Sequence, residues 1–180
     1  MRELYQVWPS SLCEEQVARI VTLALARPAE DATLFSSAED LQDLRTCTVR
    51  WLDDPWIRAL LWPYVQRASA HGFQVAVDGR CEMQMVEYSA QTGDHYGWHH
   101  DVQWHGQGDV DRKISVTVQL TNPKSYAGGD LEFDALTTNA DFRSKGTVVL
   151  FPSYLRHRIR PVTTGTRRAL VAWFSGPRWT

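Results

Sequence analysis

The sequence lacks the cysteine patterns of disulfide-rich and zinc-ribbon proteins. It has three widely spaced cysteines, Cys13, Cys47 and Cys81, and no Cys-x-x-Cys pair, which argues against a zinc ribbon or a redox motif. An odd number of such cysteines is typical of free thiols in a reducing compartment. The N-terminus lacks an apolar signal core, and no hydrophobic run is long enough to span a membrane. We therefore expect a cytoplasmic protein without a membrane segment.

The chain also lacks a strong charge of either sign. Its formal net charge is −2, from 19 basic and 21 acidic residues, which argues against binding to a nucleic-acid backbone. Arg156, Arg158 and Arg160 alternate on the face opposite His157, and we interpret them as a solvated strand face. A surface for an acidic peptide or nucleic acid is the alternative.

Helical periodicity dominates residues 1–72, and alternation dominates residues 73–180. Asp54 and Pro55 are typical of a helix start, and Pro63 predicts a kink or break in the helix that follows. A single turn of helix is expected over residues 38–44. Asp78-Gly79 predicts a hairpin between strands at 73–77 and 80–88. Along Ile114–Leu120 the apolar residues should pack on the helices, and the polar ones should face an enclosed space.

These patterns predict an α+β, mainly β fold of 180 residues. Its core over 73–180 would be a double-stranded β-helix, the jelly-roll or cupin-like arrangement. The helices of residues 1–72 would pack on one of its sheets. The chain is expected to form a single domain, while its oligomeric state is left open.

Two short segments carry residues that suit metal chemistry. A period-two strand places His99 and Asp101 on the same face, and His157 lies in another alternating strand. Two imidazoles and one carboxylate leave positions open on a non-haem Fe(II). His-x-Asp alone is a weak signal, since such residues are often a plain hydrogen-bonded pair. Arg167 opens the next strand, and its planar fork matches a carboxylate.

The chain from about residue 80 to 176 resembles the prolyl 4-hydroxylase-type branch of the Fe(II)/2-oxoglutarate oxygenases. The matching segments are Tyr88 and Gly93, Tyr96 to Asp101, Arg112 to Leu120, Gly128 to Phe133, Gly146 to Ser153, and His157 to Arg167. The resemblance implies Fe(II), 2-oxoglutarate and O₂ as the reacting partners, with ascorbate as an optional addition.

The resemblance also implies a role for each matching residue. His99, Asp101 and His157 would be both the iron ligands and the catalytic centre. The 2-oxoglutarate-binding residues would be Arg167 at the distal carboxylate, Tyr88 as a hydrogen-bond donor, Ser115 beside the co-substrate and Gln119, which stands where many prolyl hydroxylases have a tyrosine. Related halogenases lack the carboxylate, so Asp101 favours hydroxylation.

The function implied is a dioxygenase that hydroxylates a C–H bond and releases succinate and CO₂. Its substrate would be a prolyl residue of a protein or peptide. The alternatives are a free amino acid or other small molecule as substrate, and a cupin-like metal- or ligand-binding module without turnover. Tyr96, Trp98 and Trp104 are candidate substrate contacts, with simple packing as the alternative. The loop over residues 102–111 is a candidate lid.

Overall fold

The computed structural model describes residues 2–32, 44–102, 104, 108–134, 136, 138 and 140–179. Its elements in chain order are β1 Gln6–Trp8, α1 Glu14–Leu25, β2 Glu30–Asp31, β3 Arg45–Thr46, β4 Thr48–Leu52, α2 Pro55–Arg67, a π-helical turn Ala68–Phe73, β5 Cys81–Ser89, β6 His95–His99, β7 Val110–Gln119, a 3₁₀ turn Pro123–Ser125, β8 Ala127–Gly128, β9 Leu131–Phe133, β10 Val148–Pro152, β11 His157–Ile159, β12 Val162–Thr164 and β13 Thr166–Pro177.

Helix α2 begins where the sequence predicts. The carboxylate of Asp54 accepts hydrogen bonds from the backbone N–H groups of Trp56 and Ile57 at 2.9 and 3.0 Å, which satisfies two donors that the first turn leaves unpaired. The helix passes through Pro63 to Arg67, so the expected break does not occur there.

The strands form two main antiparallel sheets. The larger has seven strands in the order β1-β10-β7-β13-β5-β4-β2, and the smaller has four in the order β3-β6-β11-β9. Strands β8 and β12 form a separate pair. Neighbours in each sheet come from distant parts of the chain, so both sheets depend on long-range pairing.

The buried side chains form two clusters, one on each side of the larger sheet. The first joins α1 and α2 to apolar residues of β7 and β13, including Val116, Val118 and Leu170. The second fills the space between the two sheets, with Val149 on the larger and Phe133 on the smaller. The layers are therefore helices, larger sheet and smaller sheet. This confirms the predicted jelly roll with N-terminal helices on one sheet.

Two predicted strands take a different form. Residues 74–80 are not in a strand, because the chain leaves α2 through the π-helical turn and Gln74 adopts a left-handed backbone with φ of 54°. The strand expected over residues 156–162 is divided into β11 and β12 by Arg160 and Pro161. The helical turn predicted over residues 38–44 lies, except for its last residue, outside the described residues. Within the described part of the chain, no helix is long and apolar enough to span a membrane.

Candidate metal centre

The three predicted ligands meet in the space between the sheets. His99 ends β6 and His157 begins β11, and these two residues face each other in the antiparallel register. Asp101 lies two residues beyond β6, with its two carboxylate oxygens each 3.6 Å from one histidine Nε2. One ligand atom from each residue lies within 4.8 Å of the others. The structure thus brings the three predicted ligands together, and their binding of a metal stays a prediction.

Both histidines are held in an orientation that suits a metal ligand. The Nδ1 of His99 lies 2.7 Å from the Gly97 carbonyl oxygen, and the Nδ1 of His157 lies 2.9 Å from that of Leu155. A ring N–H that donates to a carbonyl leaves the lone pair of the other nitrogen free for a metal. Burial and the neighbouring His157 lower the pKa of His99 to about 3. The His99 imidazole is therefore neutral at physiological pH.

Asp101 is fixed by two buried serines. The hydroxyl of Ser115 donates to one carboxylate oxygen at 2.6 Å and lies 2.9 Å from the hydroxyl of Ser153. The Asp101 backbone N–H donates to the Ser153 carbonyl at 2.9 Å. Burial alone would raise the pKa of Asp101, but the neighbouring histidines and the Ser115 hydrogen bond lower it overall. The carboxylate is thus ionised and rigidly placed.

This contact changes the interpretation of Ser115. The resemblance implies a position beside the co-substrate, but the hydroxyl is directed to Asp101 instead. Ser115 is also absent from the described residues that line the adjacent cavity. The Ser115 hydroxyl therefore lies against the Asp101 carboxylate, and its contact with a co-substrate stays a prediction.

The cavity beside the triad contains a buried cation that forms no ion pair with a described carboxylate. Its lining includes Arg167 and Tyr88, which are opposite each other on β13 and β5. Arg167 is 2% exposed, and its Cζ lies 5.5 Å from the centre of the Tyr88 ring. Among the described residues, the Arg167 guanidinium has this ring contact but no side-chain hydrogen bond or ion pair. Because an unpaired buried charge is costly, this cavity favours an anionic ligand.

Gln119 presents a second unsatisfied group. It is 2% exposed, and its side-chain Nε2 has no hydrogen-bond partner among the described residues. It lies opposite Ala169, which lines the cavity. The amide is therefore a spare donor close to the side of the cavity on which Arg167 lies.

The donor set and the cavity fit the metal and co-substrate that the resemblance implies. Two imidazoles and one carboxylate, with no thiolate, match a ferrous ion that keeps positions open. The unpaired guanidinium of Arg167 fits the distal carboxylate of a dicarboxylic acid. The triad thus offers suitable ligands for Fe(II), and Arg167 offers a suitable partner for 2-oxoglutarate.

The three aromatic residues predicted to contact substrate are placed differently. Tyr96 lines the cavity and stacks on His99, with ring centres 3.4 Å apart and planes 7° apart. Trp98 is not among the residues that line it, and the Cζ of Arg158 lies 4.6 Å from its ring on the other face of β6. Trp104 is 51% exposed. The candidate lid over 102–111 includes residue 103 and residues 105–107, which lie outside the described part of the chain.

Two residues at the site were not identified from the sequence. Ser153 follows β10 inside a segment that matches the family, but the sequence gives no sign of its contact with Asp101. Arg45 lies on β3 opposite Tyr96, with its Cζ 4.6 Å from that ring, and it lines the cavity. No local motif marks Arg45, because strand pairing across the sheet brings it to the site.

The sequence is similar to a known protein family and to several hydroxylases. The family model described as the 2OG-Fe(II) oxygenase superfamily matches residues 83–175. A PKHD-type hydroxylase of Hyphomonas neptunium is 38% identical over 84 residues, which are 45% of this chain and 38% of that protein. A PKHD-type hydroxylase of Synechococcus sp. strain CC9311 is 35% identical over 176 residues, which are 93% of this chain and 74% of that protein. The chain thus spans less than half of the first relative and about three quarters of the second.

The fold of this chain is similar to that of a solved hydroxylase structure. A prolyl-4-hydroxylase of Pseudomonas putida superposes with a TM-score of 0.75 at 18% identity, covering 98% of this chain and 94% of that one. At this identity the likeness concerns the fold.

Proposed function

Since this chain belongs to the 2OG-Fe(II) oxygenase superfamily, we propose that it is an Fe(II)- and 2-oxoglutarate-dependent dioxygenase that hydroxylates a C–H bond. The observation that carries the proposal is the convergence of His99, Asp101 and His157 within 4.8 Å beside an unpaired buried arginine. A plain hydrogen-bonded His–Asp pair does not require that arginine. Hydroxylation is favoured over halogenation because Asp101 is present in the triad.

Each residue of the site has a distinct task in this proposal. His99, Asp101 and His157 would hold Fe(II), and Arg167 would bind the distal carboxylate of 2-oxoglutarate with Tyr88 beside it. When bound, the iron and the co-substrate supply the O₂ chemistry that yields succinate, CO₂ and a hydroxylated product. The buried Ser115 hydroxyl keeps Asp101 in position. The apolar lining, including Phe151 and Val171, excludes water from the cavity.

The proposed substrate is a prolyl residue of a protein or peptide. The fold shared with a prolyl-4-hydroxylase is compatible with this class, and the PKHD-type relative supports hydroxylation. Loops carried by a rigid scaffold commonly determine which substrate is bound. A free amino acid or another small molecule remains the alternative substrate, and we propose a cytoplasmic location.

Succinate formation tests the activity. Purified protein should convert 2-oxoglutarate to succinate only when Fe(II) and O₂ are both supplied. Absence of succinate under these conditions, with Fe(II) bound, would leave only a binding module. A gain of one oxygen on peptides from a cell lysate, mapped by mass spectrometry and absent from free proline, would identify the substrate class.

A further inference from the structure

Arg45 places a second positive charge in the cavity. The strand β3 that carries it pairs with β6, so Arg45 lies directly opposite Tyr96. Its guanidinium covers one face of the Tyr96 ring, and His99 stacks on that same ring. Arg45 is half-buried and lines the cavity together with Arg167 and Asp101.

No carboxylate among the described residues neutralises Arg45. Its one side-chain hydrogen bond there runs from Nε to the Cys47 sulfur at 3.1 Å, and burial raises the pKa of the Cys47 thiol. The thiol is therefore neutral. Arginines on the outer faces behave differently, since Arg158 and Arg168 each pair with a glutamate.

The charges of the loaded cavity do not balance. Its described charged side chains are Arg45, Arg167 and Asp101, which together leave one positive charge when the histidines are neutral ligands. A divalent iron and a doubly charged 2-oxoglutarate cancel each other, so that single positive charge remains. Arg167 would bind the co-substrate, which leaves Arg45 as the cavity cation without a counter-ion among the described residues. A low-dielectric site with this excess attracts an anion.

We propose that Arg45 is a substrate-recognition residue and that its guanidinium binds a carboxylate of the substrate in the cavity. This inference rests on the proposed function, because metal and co-substrate define the space that the substrate enters. The carboxylate belongs either to a small carboxylic acid or to an acidic residue of a peptide. In both cases the planar guanidinium offers two parallel donors to it.

The test uses a small anion and its neutral analogue. Protein loaded with paramagnetic Mn(II) in place of Fe(II), and saturated with 2-oxoglutarate, is titrated with trifluoroacetate or trifluoroacetamide. Fluorine NMR relaxation reports how much of each probe binds near the metal. The variants are Arg45→Gln, which removes the charge, and Arg45→Lys, which keeps it. Arg50→Gln is the matched control, because Arg50 follows on β4 and donates to the Arg27 carbonyl.

We expect the wild type and Arg50→Gln to bind trifluoroacetate about tenfold more tightly than trifluoroacetamide. Arg45→Gln should lose this preference, and Arg45→Lys should keep most of it. Equal binding of the two probes by the wild type, or an unchanged preference in Arg45→Gln, overturns the proposal. Two-oxoglutarate binding to each variant is measured first. If the wild type does not bind 2-oxoglutarate, both the proposed function and the role of Arg45 are refuted. If it binds 2-oxoglutarate normally but shows no preference for trifluoroacetate, only the role of Arg45 is refuted.

Larger probes separate the two sources of the carboxylate. N-trifluoroacetyl-glycine carries the carboxylate of a small acid, and N-trifluoroacetyl-glycyl-glutamate amide carries that of an acidic side chain. Arg45-dependent binding of the first supports a small-acid substrate, and that of the second supports an acidic peptide. Arg45-independent binding of both contradicts the role of Arg45.

Discussion

The hydrogen bond from Ser115 to Asp101 gives a quantitative test of how the metal centre is held. Replacing Ser115 with alanine removes a 2.6 Å bond to a buried carboxylate oxygen. A hydrogen bond to a charged group contributes about 1.5–3 kcal/mol, which corresponds to roughly tenfold to hundredfold in affinity. Ser153 does not replace the lost bond, because the structure brings its hydroxyl to Ser115. We therefore expect metal binding at least about tenfold weaker.

The assay is a metal titration of the metal-free protein under anaerobic conditions, in competition with a chelator of known affinity. Ser175→Ala is the matched control, since Ser175 is also a buried serine of the larger sheet, located on β13 beside Arg112. Circular dichroism verifies that both variants are folded. An affinity of Ser115→Ala within about twofold of the wild type would refute the reasoning, because the bond would then contribute nothing to ligand geometry.

Three further predictions concern the co-substrate, pH and the backbone. Arg167→Gln should weaken 2-oxoglutarate binding by roughly tenfold to hundredfold in calorimetry while Fe(II) still binds. The control variant Arg168→Gln, at an outward-facing residue, should bind 2-oxoglutarate normally. An equal loss of affinity in both variants would contradict the assignment of Arg167 to 2-oxoglutarate. The folded-state pKa of His99, about 3, lies below its unfolded value of about 6.5. The unfolded chain therefore binds a proton at higher pH than the folded chain does. The free energy of unfolding should fall as pH drops from about 6.5 towards 3, by at most about 1.4 kcal/mol per pH unit. Urea unfolding of the metal-free protein should show this slope, and His99→Gln should reduce it; an unchanged slope would argue against a neutral buried imidazole. Gly146→Ala should destabilise the fold by about 2 kcal/mol or more, because φ is +79° and the new Cβ would lie 2.3 Å from the Leu12 carbonyl oxygen; Gly93→Ala, at φ of +65° with open space around it, should cost clearly less in thermal unfolding.

Site residues were predictable from the sequence where they lie in a short local pattern. His99 and Asp101 alternate in one segment, and His157 and Arg167 lie in a second one that matches the family, so the residues that converge could be named from the sequence. The alternation along Ile114–Leu120 also predicted which face packs on the helices, and the structure confirms that face.

Contacts set by pairing between distant strands were not predictable. Arg45 reaches the cavity only through the β3–β6 pairing, and the Ser115 hydroxyl finds Asp101 beyond the end of another strand. Strict alternation from His99 would direct both Trp98 and Tyr96 outward. The register shift between β6 and β11 instead brings Tyr96 to the cavity, and no sequence pattern indicates that shift. The strand predicted over residues 73–77 failed for the opposite reason. The local alternation of apolar residues is overridden there by the π-helical end of α2.

The central claim is that His99, Asp101 and His157 bind a single ferrous ion. Anaerobic equilibrium dialysis of wild type and Asp101→Ala against Fe(II), with protein and iron quantified in each, tests it most directly. The account predicts about one Fe(II) per wild-type chain and a strongly reduced content in a folded Asp101→Ala variant. Equal iron content in the two proteins, or none in the wild type, would contradict it.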